Sequence, residues 1–149
     1  MLSAEMNERI TRVGPGTPMG NLMRRYWQPV AGEVELLEAP TKRVQILGEF
    51  LTLFKDKSGR YGLLAQRCPH RRVDLATGHP DEHGLICMYH GWKFDTDGNC
   101  INQPAEPADS TFKDRIHIKS YPVEVLGGLI WAYLGPEPRP LLPKWDLFV

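Results

Sequence analysis

The chain has 149 residues, 42% hydrophobic and 24% charged, a composition suited to one folded domain with its own core rather than a disordered chain. Lysine plus arginine and aspartate plus glutamate each total 18, and the resulting net charge of +0 gives no basic footprint for nucleic acid or an anionic membrane. No apolar run approaches the roughly 20 residues of a membrane-spanning helix, and Met1 to Arg9 lacks the apolar stretch of a secretion signal.

The 14 glycines and 13 prolines exclude an architecture of long helices. Residues 1–26 read as short helical pieces. Thr17-Pro18 is a start signal, a capping hydroxyl followed by proline in the first turn, for a helix from Met19 to Arg25 or Tyr26. From Lys42 the pattern turns to strands. Arg43–Leu47 and Phe50–Phe54 flank Gly48-Glu49, a hairpin turn. Asp56-Lys57-Ser58-Gly59 is a second turn, and Tyr61–Gln66 is a third strand. Trp92–Phe94 and Asn99–Ile101 flank Asp95-Thr96-Asp97-Gly98, while Pro122–Leu126 and Leu129–Leu134 flank Gly127-Gly128. Asn102 to Asp114 reads as loop. Pro136, Pro138, Pro140 and Pro143 mark an extended connector, and the apolar cluster Trp145–Val149 at its end suggests a linker into further sequence. The expected organisation is a helical segment with a lead-in strand at 1–40, an antiparallel all-β domain at 41–135 and a proline-rich linker at 136–149.

Two boxes carry the chemistry: Cys68-Pro69-His70 and Cys87-Met88-Tyr89-His90. A cytoplasmic, reducing compartment is expected, and there cysteines near histidines read as metal ligands rather than disulfide partners. Each box puts a thiolate and an imidazole on one tight loop. Zinc fingers and ribbons place two cysteines together first, whereas here the ligand types alternate. That alternation suits a Rieske [2Fe–2S] centre, in which two cysteines hold one iron and two histidines the other. A zinc-bound structural module is the competing reading.

Cys68-Pro69-His70-Arg71 and Cys87 through Asp95 resemble the two boxes of the Rieske domain of aromatic-ring-hydroxylating oxygenases. Gly14 to Trp27 and Trp131 to Pro136 are similar to the corresponding segments of the phthalate 4,5-dioxygenase-type oxygenase component. The resemblance implies a Rieske (ISP-like) antiparallel β-sandwich with short N-terminal helices. It further implies a [2Fe–2S] cluster whose buried iron is held by Cys68 and Cys87 and whose outer iron is held by His70 and His90. A reductase or ferredoxin would supply electrons, to be passed to a mononuclear iron in a catalytic domain absent here, which in that family belongs to a neighbouring subunit of a trimer. Neither nucleic acid nor membrane is an expected partner, and a free-standing Rieske ferredoxin is the alternative. High-potential respiratory Rieske proteins carry an extra cysteine in each box and a serine after the second His-Gly. Val73, Tyr89 and Trp92 stand at those positions here, which implies fewer hydrogen bonds to the cluster and a lower potential.

Other residues have blander readings. Cys100 is expected to be a buried small hydrophobe, and His117, alternating with Ile116 and Ile118, to point outward. His79-Pro80-Asp81-Glu82-His83 reads as a surface loop rather than a second metal site, because Pro80 opposes the helix such a site would need. Trp92 and Tyr89 are expected to cover the cluster and join the core. Arg67, Arg71 and Arg72 flank the first box, where their charge would favour a reduced centre; Arg71 and Arg72 read either as a solvated or salt-bridged pair or as a docking surface for a partner.

Overall fold

The computed structural model describes residues 1–146, so Leu147, Phe148 and Val149 of the expected C-terminal cluster lie outside the described residues. Ser3 caps α1 (Ala4–Thr11), which buries none of its residues. Thr17 caps α2 (Pro18–Met23) by accepting from the Gly20 amide at 3.1 Å, with Pro18 in the first turn as the sequence predicts. A one-turn helix, α3 (Glu35–Glu38), was not expected. No helix among the described residues is long and apolar enough to cross a membrane.

Among the described residues, eleven strands form three antiparallel sheets. The first orders β1 (Gln28–Gly32), β11 (Leu129–Ala132) and β10 (Val123–Leu126). The second orders β2 (Thr41–Ile46), β3 (Glu49–Lys55), β4 (Tyr61–Ala65) and β9 (Ser120–Tyr121). The third orders β5 (His79–Asp81), β6 (Gly84–Ile86), β7 (Lys93–Phe94) and β8 (Cys100–Asn102). The expected all-β, antiparallel architecture is the one observed.

The inner strands of the second sheet, β3 and β4, are largely buried on both faces. Leu51, Leu53 and Leu63 join one core with Ala31, Ile130 and Ala132 of the first sheet. Phe54 and Leu64 join another with Leu85, Phe94 and Cys100 of the third. That is why Leu51-Thr52-Leu53-Phe54 is buried without a break instead of alternating with polar residues. The second core also holds Cys68, Cys87 and Trp92, so both boxes are rooted in packed apolar structure. A third cluster of Trp27, Trp131 and Tyr133 lies under the proline-rich stretch, where the Trp27 indole donates to the Pro140 carbonyl at 2.9 Å.

Further details differ from the sequence reading, beginning with α2, which ends at Met23 rather than at Arg25 or Tyr26. The β2–β3 turn is Leu47-Gly48, one residue earlier than predicted, with φ of 45° and 77°. A two-residue hairpin turn of this kind needs positive φ at both central positions, and the tight turn makes Glu49 the first residue of β3. His79–His83 is not a free loop: β5 runs through Pro80, and Glu82-His83 is the turn to β6. This short strand escaped detection because proline and charged residues hide its pairing.

Glu49 ties the helical segment to the sheet. Arg24, buried at the end of α2, donates to its carboxylate at 2.5 Å, while Lys119 and Tyr121 each donate at 2.6 Å. Burial pushes this carboxyl up, but the donors from Lys119, Tyr121 and Arg24 outweigh it and hold the group below the ordinary carboxylate range. Because the folded-state value is the lower one, the stabilisation is full above the unfolded carboxyl value and is lost as pH falls through the folded one. Glu49→Gln should destabilise the protein by about 3 kcal/mol near neutrality, since it leaves Arg24 buried without its anion. The gap between variant and parent, read by denaturant melts, should narrow below about pH 4.

Candidate metal centre

The two boxes occupy loops built on one plan. Residues 68–73 lie between the bridged pair Arg67 and Asp74, and residues 87–92 between the paired Ile86 and Lys93. In the first loop the Cys68 amide donates to the Val73 carbonyl and the Arg72 amide to the Cys68 carbonyl, both at 2.9 Å. The second loop repeats this: the Cys87 amide donates to the Trp92 carbonyl at 2.8 Å and the Gly91 amide to the Cys87 carbonyl at 3.0 Å. Each loop takes a left-handed residue in its fifth place, Arg72 at φ 62° and Gly91 at φ 73°. The cysteine stands first in both. The histidine stands third in one loop and fourth in the other.

This plan sorts the donors by depth. Cys68 and Cys87 are 2% and 3% exposed, while His70 is half-buried and His90 exposed. The thiols lie side by side, and the imidazole rings face each other with centroids 4.6 Å apart and planes at 58°. Burial, against the pull of the His70 amide and with the push of neighbouring Cys87, raises the Cys68 thiol to about 11. Such a thiol is neutral near pH 7 and becomes a thiolate only beside added positive charge, which a metal supplies. Partial burial, helped by His90 and Arg71, lowers the His70 imidazole and favours the neutral ring that a metal ligand requires. Among the described residues, no group of three His, Cys, Asp or Glu side chains is placed to hold a single ion. Two thiols below and two imidazoles above instead fit a two-iron group with sulfur on one metal and nitrogen on the other.

Aromatic side chains wall the imidazoles. The Trp92 indole stacks on His70 at 4.6 Å and 3°, and Phe112 meets Trp92 edge-on at 6.1 Å. Tyr89 leans on His90 at 3.9 Å. Trp92 is in the core as expected, but Tyr89 is 59% exposed and contributes only cover. Position explains the difference: Trp92 sits where the loop rejoins β7, whereas Tyr89 lies at the loop tip. Phe112, in a 3-10 turn at Phe112–Arg115 within the segment read as loop, carried no sequence signal because its partner is distant in the chain. Cys100 is buried in the core that also holds the box cysteines, and its thiol donates weakly to the Asn102 carbonyl at 3.6 Å. His117 is exposed, with a ring nitrogen 3.1 Å from the Asp97 carbonyl. His79 and His83 are exposed on the β5–β6 hairpin.

Residues 26–122 match the profile of the Rieske [2Fe-2S] domain, and the chain belongs to that family. It is 54% identical, over 99% of its length, to the oxygenase subunit of 5,5'-dehydrodivanillate O-demethylase from Sphingobium sp. (strain NBRC 103272 / SYK-6), of which it spans 36%. It is 41% identical, over 97% of its length, to the phthalate 4,5-dioxygenase oxygenase subunit of Pseudomonas putida, of which it spans 34%. The chain thus covers about a third of these curated relatives. Among solved structures it resembles the reduced complex between oxygenase and ferredoxin in carbazole 1,9a-dioxygenase, with TM-score 0.67, 30% identity, and coverage of 80% of this chain and 31% of that one.

Gly91 of the second loop leaves little room for a side chain. Its φ is 73°, and a Cβ there would lie 2.9 Å from the Pro104 ring. Gly91→Ala should cost about 2 kcal/mol, measurable as a lowered melting temperature.

Proposed function

We propose that this Rieske [2Fe-2S] domain is the electron-transfer part of a non-haem iron oxygenase acting on an aromatic substrate. Cys68 and Cys87 hold the inner iron and His70 and His90 the outer one. The observation that carries this reading is the pair of matched loops, which brings two thiols together in the core and two imidazoles together at the surface. When bound, the cluster takes up and releases one electron at a time. The relatives are named as oxygenase subunits of a demethylase and a dioxygenase, which supports the same role.

Each residue has a definable task. The buried thiolates keep water from the inner side of the site, and their charge is balanced by the metals they hold. The neutral imidazoles add no negative charge, which keeps the site easier to reduce than an all-thiolate one. His90 reaches solvent, giving a docked partner a short approach. Trp92 covers one face of His70 and is itself backed by Phe112, which fixes that ring's orientation. A reductase or ferredoxin supplies the electrons, in line with the oxygenase–ferredoxin complex among the structural neighbours. A mononuclear iron in a separate catalytic domain, belonging to a neighbouring subunit of a trimer, receives them.

Iron and acid-labile sulfide analysis, with electron paramagnetic resonance of the reduced protein, tests the assignment. The parent should show the signal of a reduced two-iron cluster, and a zinc-loaded, silent protein would overturn the reading. Cys68→Ser should lose the iron, the visible absorption and part of the thermal stability, because the cluster joins two loops of one core. Trp92→Leu should retain the cluster but hold its iron roughly tenfold less tightly against a competing chelator, as loss of a ligand's outer support typically does. Trp92→Phe, which keeps a ring over His70, should stay near the parent.

A further inference from the structure

The two box loops share length, hydrogen bonds and a left-handed fifth residue, yet that residue is Gly91 in one and Arg72 in the other. Glycine adopts this conformation without strain. An arginine does not, and it lacks the short polar side chain that lets asparagine or aspartate tolerate the position. Of the other non-glycine residues with positive φ among the described residues, Leu47 packs its side chain against a core and His83 is of a type that tolerates the region, but Arg72 has no such compensation. It is exposed, and among the described residues it makes no ion pair. The fold would be served better by glycine at this corner. A strained position held against the interest of stability points to a task for its side chain.

The surroundings indicate the task. Arg67 and Arg71 are also exposed and without an ion pair among the described residues. Arg67 reaches back to the Arg72 carbonyl at 3.4 Å. The acidic residue closing this loop, Asp74, does not neutralise the cluster, because Arg43 and Gln66 occupy its carboxylate at 2.6 and 2.7 Å. Three uncompensated guanidinium groups therefore crowd one loop of a chain whose net charge is +0. The other loop presents Met88 and Tyr89 instead, 57% and 59% exposed.

We infer that Arg72, with Arg67 and Arg71, forms the docking surface for an acidic electron-donor protein, and that its side chain is retained there at the expense of backbone strain. This rests on the electron-transfer reading above. The donor gives up one electron and the centre gains it, with no bond made and no proton required. The cationic loop brings the acidic partner over the imidazole pair, and the association weakens as salt screens the charges.

The test uses Arg72→Gly beside the parent, with Arg9→Gln as a variant that removes one positive charge far from the loop in the sequence. An acidic plant-type [2Fe–2S] ferredoxin is the probe. Its oxidised form is titrated calorimetrically and its reduced form is mixed by stopped flow, each over a series of salt concentrations. Arg72→Gly should melt at or above the parent's temperature and keep the parent's paramagnetic resonance spectrum. It should nevertheless bind the ferredoxin and accept its electron roughly tenfold less well at low salt, with the difference closing at high salt. Arg9→Gln should behave as the parent. Equal binding and reduction of Arg72→Gly and parent, a lower melting temperature for Arg72→Gly, or an equal loss in Arg9→Gln would overturn the inference. A parent with no cluster signal would remove the electron-transfer reading itself, so the two failures are told apart.

Discussion

Everything at the site depends on the backbone pairing that closes each box loop. A cysteine amide bonded across to the carbonyl at the far end of its loop holds the thiol inward, against the core between the second and third sheets. Two such loops, set beside one another, bring side chains distant in sequence into contact. The thiol pair is costly to charge in that setting, as the raised Cys68 value shows. The same burial that penalises a free thiolate makes a metal-bound one favourable, since the metal brings the missing positive charge.

The central sheet gives this arrangement its footing. Because its inner strands are covered on both faces, residues such as Phe54 and Leu64 press on the box region while Leu53 and Leu63 anchor the first sheet. The N-terminal segment is joined to the same sheet through Arg24 and Glu49, and the proline-rich stretch returns to Trp27. The box loops therefore stand on a platform braced from several sides, which limits how far the donors can move when the charge at the site changes.

Much of this was legible in the sequence, for reasons that can be named. Thr17-Pro18 and Gly127-Gly128 act locally, so a helix start and a hairpin follow from a few adjacent residues. The alternating order of cysteine and histidine restricts the metal chemistry before any fold is known. What stayed hidden depends on distance or on backbone shape. Phe112 meets Trp92 only after the chain has turned through β7 and β8. The β5 strand is disguised by Pro80. The likeness of the two boxes lies in φ angles and hydrogen bonds, and Cys-Pro-His-Arg-Arg-Val and Cys-Met-Tyr-His-Gly-Trp share little else.

One consequence follows from the histidines' unequal places, third in one loop and fourth in the other. That single-residue offset breaks the mirror-like plan of the loops where it matters most. His70 is drawn under Trp92, and His90 is left at the surface with Tyr89 alongside. The two imidazoles thus meet different dielectrics and different neighbours. One is shielded by an indole, the other is open to solvent, and a nearly symmetric cradle acquires a front and a back.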